Sequence, residues 1–144
     1  MNLRELAEHL ASEGCDPSSY AIGSRGSASD AYCLTQNGSR WEIYYTERGL
    51  DQAPLHTSES ESEACELFRK LILSFRHDHC VGFFRSEESA TKLCQRLREI
   101  GVAPRQDHIR YGGPNDPRFR VFVTGKAIFE AKAALGQVPL DDEG

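Results

Sequence analysis

The chain has 144 residues, 39% hydrophobic and 27% charged, which fits one ordinary domain or two small lobes and excludes a disordered chain. No apolar run approaches the roughly 20 residues that cross a bilayer. The N-terminus, Met1-Asn2-Leu3-Arg4-Glu5-Leu6-Ala7-Glu8, alternates charge with apolar residues and lacks a signal-peptide core, so a cytoplasmic protein with no membrane partner is expected.

Residues 2–13 place Leu3, Leu6, Ala7 and Leu10 at helical spacing, with Gly14 as the stop. Asp16-Pro17-Ser18-Ser19 reads as a turn, Tyr20-Ala21-Ile22 as a short strand, and residues 23–29 as a small-residue loop. Two further strands, Ala31 to Thr35 and Arg40 to Arg48, flank the hairpin signal Asn37-Gly38. Residues 49–57 are expected to be a loop. A helix capped by Ser58 or Ser60 follows, with Glu59, Glu61 and Glu63 at its positive end and Ala64, Leu67, Phe68, Leu71, Ile72 and Phe75 as its buried stripe.

A second unit begins at once. Cys80 to Phe84 reads as a strand and Ser86 to Ile100 as a helix ended by Gly101. Arg105 to Tyr111 and Arg118 to Thr124 read as strands around the loop 112–117, and 126–135 as a final helix. The expected fold is α+β: an α-β-β-β-α unit over residues 1–78, a ferredoxin-like β-α-β-β-α unit over 79–136, and a flexible acidic tail over 137–144.

Charge is uneven along the chain. Residues 1–64 hold eleven Asp+Glu against four Arg, net −7. Residues 65–144 hold thirteen Lys+Arg against eleven Asp+Glu, net +2, or +5 without Asp141-Asp142-Glu143. Such asymmetry suits either a nucleic-acid-binding half or an acidic end that docks a basic partner.

The richest stretch is Trp41-Glu42-Ile43-Tyr44-Tyr45-Thr46-Glu47-Arg48-Gly49, which holds the only Trp and two of the five Tyr. As a strand it sets Trp41, Ile43, Tyr45 and Glu47 on one face, and Glu42, Tyr44 and Thr46 on the other. The first face is expected to hold the core, and the second to be open for recognition or packing. Glu42 and Glu47 fall on opposite faces, a poor arrangement for shared acid–base work.

Other chemistry is sparse. His77-Asp78-His79-Cys80 has metal-ligand residue types but no second pair at ligand-like spacing, so no metal is expected. Cys15, Cys33, Cys65, Cys80 and Cys94 are odd in number and form no CxxC, which fits reduced, mostly buried thiols. Gly23-Ser24-Arg25-Gly26-Ser27 lacks the Gly-Lys-Ser/Thr ending of a phosphate loop. Arg105, Arg110, Arg118 and Arg120 with Tyr111, Phe119 and Phe122 could stack bases on a sheet, although Phe122 falls in the apolar series of its strand and reads as core. No cofactor is expected and no nucleophile motif is present.

The run from Trp41 to Gly49, followed by Ser58-Glu59-Ser60-Glu61-Ser62-Glu63-Ala64-Cys65 and preceded by Ala31-Tyr32-Cys33-Leu34 and the Asn-Gly turn, resembles a pattern in small bacterial immunity proteins. These are the cognate antidotes of polymorphic toxins, including contact-dependent inhibition and Rhs-type systems. The resemblance covers residues 1–77. It implies a non-enzymatic cytoplasmic protein that binds a toxin domain and occludes its active site or substrate surface. The residues expected at that interface are Asp30, Tyr32, Glu42, Tyr44, Glu47 and Arg48. The alternative is a small RNA-binding or regulatory module that uses the more basic second unit.

Overall fold

Asn2 starts the first helix with a reciprocal cap. Its side-chain oxygen accepts the Glu5 amide at 2.8 Å, and the Glu5 carboxylate accepts the Asn2 amide in return. The computed structural model describes residues 1–142, and its fold is α+β. It divides into two compact units, Met1–Arg76 and His77–Gly144, each with its own apolar core.

In the first unit, helix α1 (Leu3–Ser12) buries Leu6 and Leu10 completely. Five strands follow: β1 (Tyr20–Gly23), β2 (Ala31–Asn37), β3 (Arg40–Glu47), β4 (Leu50–Asp51) and β5 (His56–Ser58). Helix α2 (Glu61–Leu73) closes the unit, capped by Ser60, whose hydroxyl accepts the Glu63 amide at 3.1 Å. The sheet runs β1-β2-β3-β4, with β5 also on β3. One face, through Leu34 and Ile43, packs on Leu6, Leu10, Phe68 and Ile72. Phe68 is wholly buried, a burial worth about 1.5–3 kcal/mol.

The expected loop 49–57 contains the two extra strands. Arg48 and Gly49 have φ of 52° and 80°, the positive pair that a type I′ hairpin needs, so Leu50 turns straight back to pair with Glu47. The chain then returns to β3 further along, where His56 pairs with Ile43. An Arg in the first turn position hid this hairpin from a search for Asn-Gly signals.

β1 lies parallel to β2, although only residues 24–30 join them. A connection of this kind has to cross a face of the sheet. Arg25 shows which face: its guanidinium donates to the Gly49 carbonyl and to Asp51 at 3.2 Å, and Thr46 donates to the same Asp51 oxygen at 2.8 Å. The loop therefore spans the side away from the helices. Ala31, Cys33 and Thr46 on that side are fully buried. The open second face expected for Thr46 is covered at this point.

The second unit has β6 (Asp78–Phe84), α3 (Glu87–Glu99), β7 (Arg105–Ile109), β8 (Arg118–Thr124) and α4 (Ala127–Leu135). The sheet order is β6-β8-β7, with β8 antiparallel to both neighbours. β6 and β7 are therefore parallel, split by β8, with α3 as the crossover. Val81, Val121 and Val123 pack on Leu93 and Leu97 of α3 and Ile128 of α4. A complete ferredoxin-like sheet would add a fourth strand beside β6. Here that edge receives a single bridge, Gly82 with Leu140.

That bridge bears on the tail. Leu140 donates to the Val81 carbonyl at 2.9 Å and accepts from Phe83 at 2.8 Å. The Asp142 carboxylate accepts the Arg85 and Ser86 amides at the start of α3, where a negative charge meets the helix dipole. Residues 137–142 are thus pinned along β6 and α3, where a flexible acidic tail was expected; residues 143 and 144 lie outside the described residues. No helix among the described residues is long and apolar enough to cross a membrane.

Candidate functional site

The β2–β3 register brings the aromatic residues together. Tyr32 pairs with Tyr45, and their rings lie 4.9 Å apart. Phe75, just past the end of α2, stacks on Tyr32 at 5.1 Å with an interplanar angle of 20°. The sequence places Phe75 in the buried helical stripe. It is instead 38% exposed, because α2 ends at Leu73 and the chain leaves the helix before reaching it.

Charge gathers at the same end of the two strands. Ala31 pairs with Thr46, so Asp30 and Glu47 flank one terminus of the ladder. Both are exposed, and neither makes an ion pair or side-chain hydrogen bond among the described residues. Desolvation raises the Tyr45 phenol above its ordinary range, and the carboxylates of Asp30 and Glu47 push it further up. Tyr45 therefore belongs to an acidic, partly exposed aromatic face, not to the closed core its spacing suggested. Arg48 is exposed beside Glu47, and its amide is held by the Ser29 hydroxyl at 3.1 Å.

Glu42 and Tyr44 point the other way. Tyr44 is half-buried; desolvation raises its phenol, while a hydrogen bond to Thr35 pulls it back down. Cys33, its cross-strand partner, has a thiol that burial pushes up. The six expected interface residues thus do not form one surface. Tyr32 lies on the helix-side face of the sheet, Asp30, Glu47 and Arg48 sit at its end, and Glu42 and Tyr44 lie on the opposite face.

Tyr45 and Phe75 are the members of the aromatic face that the expected set omits. Tyr45 was missed because the turn residues are Gly38-Ser39, one position beyond the Asn37-Gly38 signal, and only this register sets Tyr45 opposite Tyr32. Nothing local in the sequence marks Phe75.

The outer face of the second sheet differs from expectation. Phe119, Val121 and Val123 turn toward the helices, so Phe122 shares its face with Arg118 and Arg120 and is not core. Two guanidiniums cover its ring, Arg105 at 4.7 Å and Arg120 at 4.9 Å. Each cation also has a carboxylate. Arg105 donates to Asp78 at 2.9 Å, and Arg120 grips Asp107 through two bonds of 2.8 and 2.7 Å. Arg118 lies over Tyr111 at 4.5 Å and bonds Asp116 at 2.6 Å. Three of the four arginines that looked available for phosphates, Arg105, Arg118 and Arg120, are satisfied internally, while Arg110 makes no ion pair among the described residues. Divided at the observed boundary, residues 77–144 hold ten Lys+Arg and ten Asp+Glu, net zero, while residues 1–76 hold seven against twelve, net −5.

The remaining candidates have structural roles. Arg25 of the glycine-serine loop bonds Asp51 and Gly49. Asp78 of the His-Asp-His-Cys cluster takes Arg105 and Thr124, and the Cys80 thiol donates to the Gly82 carbonyl. No group of three His, Cys, Asp or Glu among the described residues is placed to hold a metal ion. All five cysteines are free, and four of them are buried. No protein-family model, curated protein or solved structure matches the chain.

Proposed function

We propose that this protein is an immunity-type antidote: a non-enzymatic cytoplasmic protein that binds a bacterial toxin domain through its first unit and occludes that domain's active site or substrate surface. One observation carries the reading. The acidic first unit carries three packed aromatic rings, Phe75 exposed and Tyr32 and Tyr45 partly so, and the two tyrosines stand on the strands whose end bears Asp30 and Glu47, which have no ion-pair partner among the described residues. Exposed aromatics are enriched where binding energy concentrates, and a net charge of −5 speeds encounter with a basic partner. The sequence resemblance to immunity proteins covers this same unit. We rank the RNA-binding alternative second, because the second unit is neutral in net charge and three of its four candidate arginines, Arg105, Arg118 and Arg120, are paired with carboxylates.

The test is affinity capture from the source cells, followed by expression of the captured partner alone and together with this protein. The expected result is one stoichiometric partner that arrests growth alone and is harmless when co-expressed. Capture of no growth-arresting protein, together with salt-dependent retention on RNA, would overturn the reading.

A further inference from the structure

We propose that the Tyr32–Tyr45–Phe75 face receives an arginine side chain of the protein partner, with its guanidinium over Tyr45 and its N–H groups on Asp30 and Glu47. The inference rests on the function proposed above and specifies the partner chemistry that its surface recognises.

The geometry selects this occupant by elimination. Packed rings alone would accept any apolar side chain, but Asp30 and Glu47, exposed at the end of the same two strands and close enough for their charges to act on Tyr45, disfavour burial under an uncharged group. They also repel an anion. A cation satisfies both the ring faces and the oxygens. Arginine fits better than lysine, because a planar guanidinium stacks on a ring while donating sideways to carboxylates, and an ammonium is a compact, strongly hydrated point charge.

The same protein already builds this arrangement elsewhere. In the second unit, Arg105 lies over Phe122 at 4.7 Å while bonding Asp78, and Arg120 lies over the same ring at 4.9 Å while gripping Asp107. In the first unit the rings and the carboxylates are present without the guanidinium. Arg48 is the cation next in sequence, and it makes no ion pair with Asp30 or Glu47. Its backbone is committed to the hairpin turn.

The test uses acetyl-Gly-Arg-Gly-amide as the probe and its citrulline isostere as the uncharged control, followed by NMR of the tyrosine rings of the full chain. The expected result is movement of the Tyr32 and Tyr45 ring signals with the arginine peptide only. In D30N/E47Q, binding should weaken about threefold to tenfold. Asn tolerates the left-handed backbone of Asp30 (φ 54°), so an unchanged amide spectrum is expected from this isosteric variant. Equal movement with citrulline, no movement with arginine, or unaltered binding by D30N/E47Q would overturn the proposal. The two levels separate cleanly. A captured toxin that binds D30N/E47Q as tightly as the parent overturns the arginine site and leaves the antidote function standing. Arginine-specific shifts in a protein that captures no toxin overturn the function and leave the site standing.

Discussion

Gly82→Ala probes how β6 meets α3, and its cost follows from three distances. A methyl group at Gly82 would sit 2.5 Å from Cε2 and 3.2 Å from Cζ of Phe84, and 2.7 Å from Cδ2 of Leu93. These are well inside van der Waals contact. Phe84 and Leu93 are each only 5% exposed and belong to the same core, so neither has open solvent to move into. Overpacking of this kind costs about 1–3 kcal/mol. At equilibrium that corresponds to a fall of about fivefold to 150-fold in the protection of amides that open with the unit. Native-state hydrogen exchange should show it at the amides of β8 and α3. A relief variant strengthens the test. Leu93→Ala alone opens a cavity at about 2–5 kcal/mol, but combined with Gly82→Ala it should cost less than the sum, because the new methyl fills part of the space. Protection unchanged within about twofold in Gly82→Ala, or strict additivity in the double variant, would refute the packing of β6 against α3.

Three further outcomes are expected. Asp107→Asn should cost about 1 kcal/mol near neutral pH, since the pair with Arg120 is bidentate and about two-thirds buried. The hydrogen bond from Arg120 holds the Asp107 carboxyl below its usual range, so the pair's stabilisation is fully present above the unfolded value near 3.9 and is lost as pH falls through the lower folded value. Melting temperatures of parent and variant should converge in acid, and a gap that persists unchanged would contradict the assignment. Thr46→Val removes a fully buried hydroxyl that donates to Asp51 at 2.8 Å, and urea unfolding followed by Trp41 fluorescence should register a loss of about 1 kcal/mol. Phe75→Ala should change stability little for an aromatic truncation, because the ring is 38% exposed, while weakening partner binding at least about tenfold. A stability loss matching a core phenylalanine would place Phe75 in the core and remove it from the surface.

How much of this was legible in the sequence depended on whether local residues decided the outcome. The β2–β3 hairpin was readable, although its turn is Gly38-Ser39, one residue beyond the Asn-Gly signal, with Gly38 (φ 65°) in the first turn position. Helix α3 was readable from Ser86 at its start and Gly101 (φ 81°) at its end. The parallel pairing of β1 with β2 was not, since no local signal marks residues 24–30 as a connection that crosses a sheet face, and Arg25 meets Asp51 only in the folded chain. Phe122 was misplaced because its apolar type was weighed above its phase. It alternates with Arg120, and two cation–ring contacts replace a core.

The candidate surface was half visible. Tyr32, Asp30 and Glu47 stood out by type, but Tyr45 was assigned to the core from its alternation with Ile43. Phe75 joins only because α2 stops two residues before it. The charge contrast also shifted, because Arg69, Lys70 and Arg76 lie in the first unit, which leaves the second neutral.

The most direct test of an acidic aromatic face that docks a basic toxin domain is the association rate constant with the captured partner, measured across ionic strength. Electrostatic steering by a unit of net charge −5 predicts a rate that falls about tenfold or more from low to physiological salt, and a shallower fall in D30N/E47Q. A rate that is independent of salt, or that rises with it, would contradict the account.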